Sequence, residues 1–150
     1  MSEADATNGP PRAYAQWVIM ILKNSGTEDI KVANMNVSWG KLYADGNKDD
    51  EISPSTYDNY VIHPGDQLQI NACGRENAAS GTTGEFDVLD PTASNKVIRH
   101  FYWDCPWGSK TNTWTVSQTN SKWMVESSGA NLDSGALGTI TSEFMNKAGQ

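Results

Sequence analysis

Short stretches of strand length, cut by turn residues at close spacing, constrain this chain more than any other feature. Gln67–Ala72 alternates Leu68 and Ile70 with polar neighbours, the period of a half-buried strand, and follows the turn Pro64-Gly65-Asp66. Ile30–Val37 sets β-branched Ile30, Val32 and Val37 among polar residues. Tyr14–Lys23 is apolar enough for a strand buried on both faces. Glu85–Leu89 and Lys96–Trp103 are strands divided by Asp90-Pro91. Thr111–Val116 and Lys122–Glu126 predict a hairpin around Ser117–Ser121. Gly138–Thr141 is the last strand, and Ser142–Lys147 reads as a frayed turn of helix. Between these lie a charged turn at Tyr43–Glu51, an irregular or helical Pro54–Tyr60 and a long polar loop at Gly74–Gly84. The succession predicts an all-β fold, a compact antiparallel β-sandwich.

At 150 residues the chain suits one domain and can bury roughly 70% of its unfolded surface without a metal or disulfide. Residues 1–12 read as a mobile tail, and residues 13–150 as the domain. The net charge of −7 argues against nucleic acid and against docking to an anionic leaflet, both of which need a basic face. A membrane partner should then be zwitterionic or neutral. The longest apolar run, Trp17–Leu22, is far shorter than a bilayer span. Met1–Arg12 has no apolar core of a secretory signal, so the protein is expected to be cytoplasmic or secreted without a conventional signal peptide. On that ground Cys73 and Cys105 are expected to be reduced.

No constellation for chemistry emerges. Asp45–Glu51 resembles the start of a calcium loop, but the required glycine and glutamate positions hold Asp50 and Thr56, so a solvated hairpin turn is the better reading. His63 and His100 lie far apart, and His100 is expected in the core or on a sheet surface. No nucleophile motif, zinc spacing or phosphate loop is present. The chain is therefore read as a non-enzyme without cofactor or metal.

The tryptophans divide. Trp114 and Trp123 lie in strand patterns and belong to the core, whereas Trp103 fits either side. Trp39 and Trp107 sit beside glycines at turns, where an indole has little core to reach, and Trp17 opens the first apolar run at its rim. Lys110, three residues after Trp107, could meet a lipid phosphate or be an ordinary solvated lysine. Aromatic rings hold the cation of a choline or ethanolamine head with about 0.5–2 kcal/mol per desolvated contact. Tryptophans at one end of the sheets could thus grip a zwitterionic head. Sugar rings also stack on indole, so a lectin-like module is the alternative.

Five runs sharpen this reading: Ala13-Tyr-Ala-Gln-Trp-Val18, Ser38-Trp-Gly-Lys-Leu42, Leu68-Gln-Ile-Asn-Ala-Cys-Gly-Arg75, Arg99–Trp114 and Asn131-Leu-Asp-Ser-Gly-Ala-Leu-Gly-Thr-Ile140. Together they resemble the aegerolysin family over nearly all of Ala13 to Thr141. The resemblance implies a β-sandwich of the actinoporin-like kind. It also implies binding to sphingolipid membranes, with sphingomyelin–cholesterol or ceramide phosphoethanolamine as the lipid. A larger partner of the membrane-attack-complex/perforin (MACPF) type would make the pore. The positions matching the family's lipid-facing residues are Trp17, Trp39 and Trp107, with Lys110 close by. Where the family carries glutamate in an Ala-Ala-Glu-Gly-Thr-Thr-Gly loop, this chain has Ser80 and lacks that charge. The protein alone is expected to bind without causing leakage.

Overall fold

Alternation, not continuous apolarity, shapes the first strand. In the computed structural model, which describes residues 12–147, β1 (Trp17–Asn24) turns Val18, Met20 and Leu22 into the core. Trp17, Ile19 and Ile21 lie on the other face, partly buried, so this strand is not covered equally on both sides as its composition predicted. Tyr14 and Ala15 belong instead to a single 3-10 turn, Arg12–Ala15. The predicted tail lies outside the described residues except for Arg12.

Ten further strands follow: β2 (Ile30–Trp39), β3 (Lys41–Ala44), β4 (Asn47–Ile52), β5 (Tyr60–Ile62), β6 (Gln67–Cys73), β7 (Thr82–Asp90), β8 (Lys96–Cys105), β9 (Thr113–Ser117), β10 (Trp123–Ser128) and β11 (Gly138–Asn146). One sheet runs β10-β11-β1-β6-β3-β4 and the other β5-β2-β7-β8-β9. Pairing is antiparallel except between β1 and β11. The two inner faces close over one core, as a β-sandwich requires. Phe86 stacks on Phe101 at 4.9 Å, and Phe101 reaches Phe144 of the opposite sheet at 5.9 Å.

Three segments depart from the sequence reading. The predicted hairpin does not form: β9 pairs with β8, and β10 pairs with β11 in the other sheet. Both segments need an apolar wall, and crossing the sandwich gives each its own. Trp114 lies beside Trp103, and its Nε1 donates to Ser127 Oγ of the facing sheet at 3.0 Å. Asn120 pins the crossing by donating to Val97 O at 3.1 Å and accepting from Lys122 N at 2.9 Å. The expected helical turn at Ser142–Lys147 is instead the second half of β11. Ile140, Ser142 and Phe144 point inward, and the buried serine hid the period by being polar. Finally, β7 begins at Thr82 rather than Glu85, because Thr82 is buried and accepts from Trp103 Nε1 at 3.0 Å.

The charged Tyr43–Glu51 stretch is a hairpin, with β3 and β4 joined at Asp45-Gly46, where Gly46 takes φ +77°. Both cysteines are buried. The registers place the starts of β1, β3, β7, β9 and β11 at one end of the sandwich, with the ends of β2, β6, β8 and β10.

Candidate functional site

At that end the outer face of the five-stranded sheet carries a pocket of about 370 Å³. Its floor follows from the two-residue period of β8. Phe101, Trp103 and Cys105 are buried, so Tyr102 and Asp104 face outward. Thr83 lies opposite Asp104 in the register and opposite Trp39 on its other side. The walls are Ser38-Trp39 from β2, Ser80-Gly81 before β7, and Pro106-Trp107 after β8.

Two glycines set this shape. Gly40 takes φ +79° and carries the chain from one sheet to the other, which leaves the Trp39 side chain 62% exposed. Gly81 lies so close to the Cys105 carbonyl that a Cβ would collide with it. The Ser80 loop and the Trp107 loop can therefore meet only through glycine.

Asp104 is the sole charged side chain in the lining. Its Oδ1 accepts from Thr83 Oγ1 at 2.8 Å. Burial, then the nearby charges of Asp104 and Glu85, push the Tyr102 phenol above its usual range, so it remains a donor at neutral pH. Three aromatic rings around one carboxylate make a receptor for a cation with an apolar or hydroxylated body.

The structure brings together three of the five residues singled out in the sequence. Trp39, Ser80 and Trp107 line the pocket. Lys110 is exposed on the loop after Trp107, outside the lining. Trp17 lies on the other sheet, with Lys48 Nζ 5.6 Å from its ring centroid. Beside it Tyr14 donates to Asp49 Oδ1 at 2.9 Å and accepts from Lys41 Nζ at 2.7 Å. Burial, with the Asp49 hydrogen bond, holds the Tyr14 phenol well above its usual range. Tyr102, Asp104, Thr83 and Ser38 were not singled out. The alternation from His100 to Cys105 would have found the first two.

The histidines stand elsewhere. His100 bridges Asp87 (2.7 Å) and Glu85 (3.0 Å) on the sheet surface, and His63 pairs with Asp29 at 2.8 Å. No group of three or more His, Cys, Asp or Glu among the described residues could hold a metal ion.

Comparison with known proteins places this architecture. The aegerolysin family model matches residues 15–147. The chain is 63% identical over 141 residues to aegerolysin Aa-Pri1 of Cyclocybe aegerita, covering 94% of this chain and 97% of that protein. It is 44% identical over 137 residues to Asp-hemolysin of Aspergillus fumigatus, covering 91% and 96%. The crystal structure of the RahU protein in complex with a Tris molecule superposes with a TM-score of 0.82 at 34% identity, covering 92% of this chain and all of that one.

Proposed function

Because the chain belongs to the aegerolysin family, whose members are lipid-binding proteins rather than enzymes, we propose that it reads the polar heads of sphingolipid-containing membranes through the Trp39–Trp107 pocket. The observation that carries the headgroup part of this reading is the single carboxylate, Asp104, set among Trp39, Tyr102 and Trp107, while the choice of sphingolipid over phosphatidylcholine, which shares the choline head, rests on the family resemblance. A choline or ethanolamine cation lodges against that carboxylate and the ring faces. The headgroup phosphate points outward toward the loop bearing Lys110. Tris, held by the RahU protein, is itself an ammonium with hydroxyl arms, chemistry the Asp104 pocket also suits. With Ser80 in place of an acid, cation recognition falls to Asp104 alone within this lining.

The protein acts at the outer face of target membranes, as the lipid-reading half of a two-part cytolysin whose MACPF-type partner makes the pore. The hemolysin name of a relative supports a lytic setting. Sedimentation with vesicles of sphingomyelin–cholesterol, ceramide phosphoethanolamine and phosphatidylcholine tests the first step. Selective pelleting with a sphingolipid is expected, weakened roughly ten-fold by Asp104→Asn. Equal pelleting with phosphatidylcholine sinks the sphingolipid reading, and persistent binding to delipidated glycans favours a lectin. Dye release is expected only after a perforin-type protein is added.

A further inference from the structure

The loop between β10 and β11, residues 129–137, carries none of the pocket lining, yet its construction is unusual for a loop in water. Six consecutive or near-consecutive carbonyls are hydrogen-bonded within the protein. Asn112 N donates to Asp133 O at 3.0 Å, and Asn112 Nδ2 donates to Asn131 O at 2.9 Å and to Gly135 O at 3.0 Å. Asn131 Nδ2 donates to Ser134 O at 3.0 Å and to Ala136 O at 2.9 Å, while its backbone N–H donates to Leu137 O at 2.9 Å. Water would satisfy these groups on an ordinary surface loop. A loop pressed into a membrane interface has no such supply, and each unmet carbonyl there is costly.

On this loop Leu132 is 55% exposed, between Asn131 and Asp133. The loop lies at the same end of the sandwich as the pocket and is fastened to its wall. Asn112 belongs to the segment that follows Trp107. The Gln16 side-chain amide reaches both Pro106 O (3.0 Å) and Gly135 O (3.1 Å) as a donor. Trp107 and Leu132 are therefore presented by two loops that cannot move independently. The one charge on the Leu132 loop, Asp133, suits a zwitterionic surface and opposes an anionic one.

We infer that Leu132 is a second membrane anchor, entering the acyl boundary of a zwitterionic lipid surface while Asn112 fixes its height relative to Trp107. This rests on the headgroup reading of the pocket but assigns Leu132 a contact with lipid chains rather than with the head.

The two contacts separate experimentally. Leu132→Cys can be labelled selectively with a thiol-reactive nitrobenzoxadiazole dye. Cys73 and Cys105 are buried, and burial pushes the Cys105 thiol up to about 11. The dye is expected to shift to the blue and brighten with sphingomyelin–cholesterol vesicles, but not with soluble phosphocholine. In the unlabelled protein, Leu132→Ala is expected to weaken vesicle binding roughly five- to thirty-fold and to leave affinity for soluble phosphocholine unchanged. Absence of either vesicle signature overturns the Leu132 assignment and leaves the pocket standing. Equal loss of phosphocholine affinity also overturns it, by placing Leu132 in the head site. If the unmodified protein binds none of these vesicles, the pocket reading falls first and takes this one with it.

Discussion

The two ends of the sandwich treat tryptophan in opposite ways. At the end where β7 finishes and β10 begins, Trp123 is fully buried and its Nε1 donates to Asp90 Oδ2 at 2.9 Å. Asp90 is itself buried and also meets Thr92 N at 3.0 Å and Lys122 Nζ at 3.0 Å, and Lys122 continues to Glu28 at 2.5 Å. At the other end Trp39 and Trp107 stand around Asp104, whose one hydrogen-bonded oxygen meets Thr83, and Trp39 is largely in solvent. Both ends combine indole with carboxylate. One saturates its carboxylate with donors and stabilises the fold, and the other leaves Trp39 exposed beside a carboxylate with a single hydrogen bond among the described residues.

The largest effect that tests this contrast is Trp123→Ala, which should destabilise the protein by about 3–5 kcal/mol through a cavity and the loss of one donor to the buried Asp90. Trp39→Ala should leave the denaturant midpoint almost unmoved, and comparable losses at both positions would erase the distinction. Acid should also act at the saturated end. Burial alone would raise the Asp90 carboxyl, but hydrogen bonds from Trp123, Thr92 and Lys122 outweigh it and hold it below the usual range. A depressed folded value means its stabilisation is present at neutral pH and is lost as pH falls below about 4. Asp90→Asn should flatten that acid slope in pH-dependent unfolding while lowering stability at pH 7.

At the open end, Trp107→Ala should weaken vesicle binding by about 1–3 kcal/mol. An unchanged vesicle isotherm would remove that ring from the site. Smallest is Lys110→Gln, with a loss of no more than about five-fold in vesicle affinity, because this lysine is exposed and outside the lining. A larger loss would place the phosphate contact there.

Much of this fold was legible because half-buried strands write their period into the sequence. β6 and β2 could be read from alternation, and the Asp45-Gly46 turn from its composition. Where a polar residue takes an inward position, the period disappears. Ser142 in β11 and Thr82 in β7 are both buried and both hydrogen-bonded, so each shortened the strand that sequence alone could see. The β9–β10 segment misled for another reason. Two apolar strands joined by a polar link look alike whether they pair or face each other across a core. In the candidate site, the exposure of Trp39 followed from the glycine beside it, whereas Asp104 fell just past the strand Lys96–Trp103 that the sequence showed and carried no signal of its own.

By itself the sequence determined the strand-rich architecture, the acidic net charge and the glycines beside Trp39 and Trp107, because local period, charge and backbone freedom act over a few residues. The tertiary structure alone decided which tryptophans share a pocket, that Trp17 belongs to the other sheet, and that Asp104 lies among the rings. Those facts depend on strand order and register, which join residues far apart in the chain and are fixed only when the two sheets close over their common core.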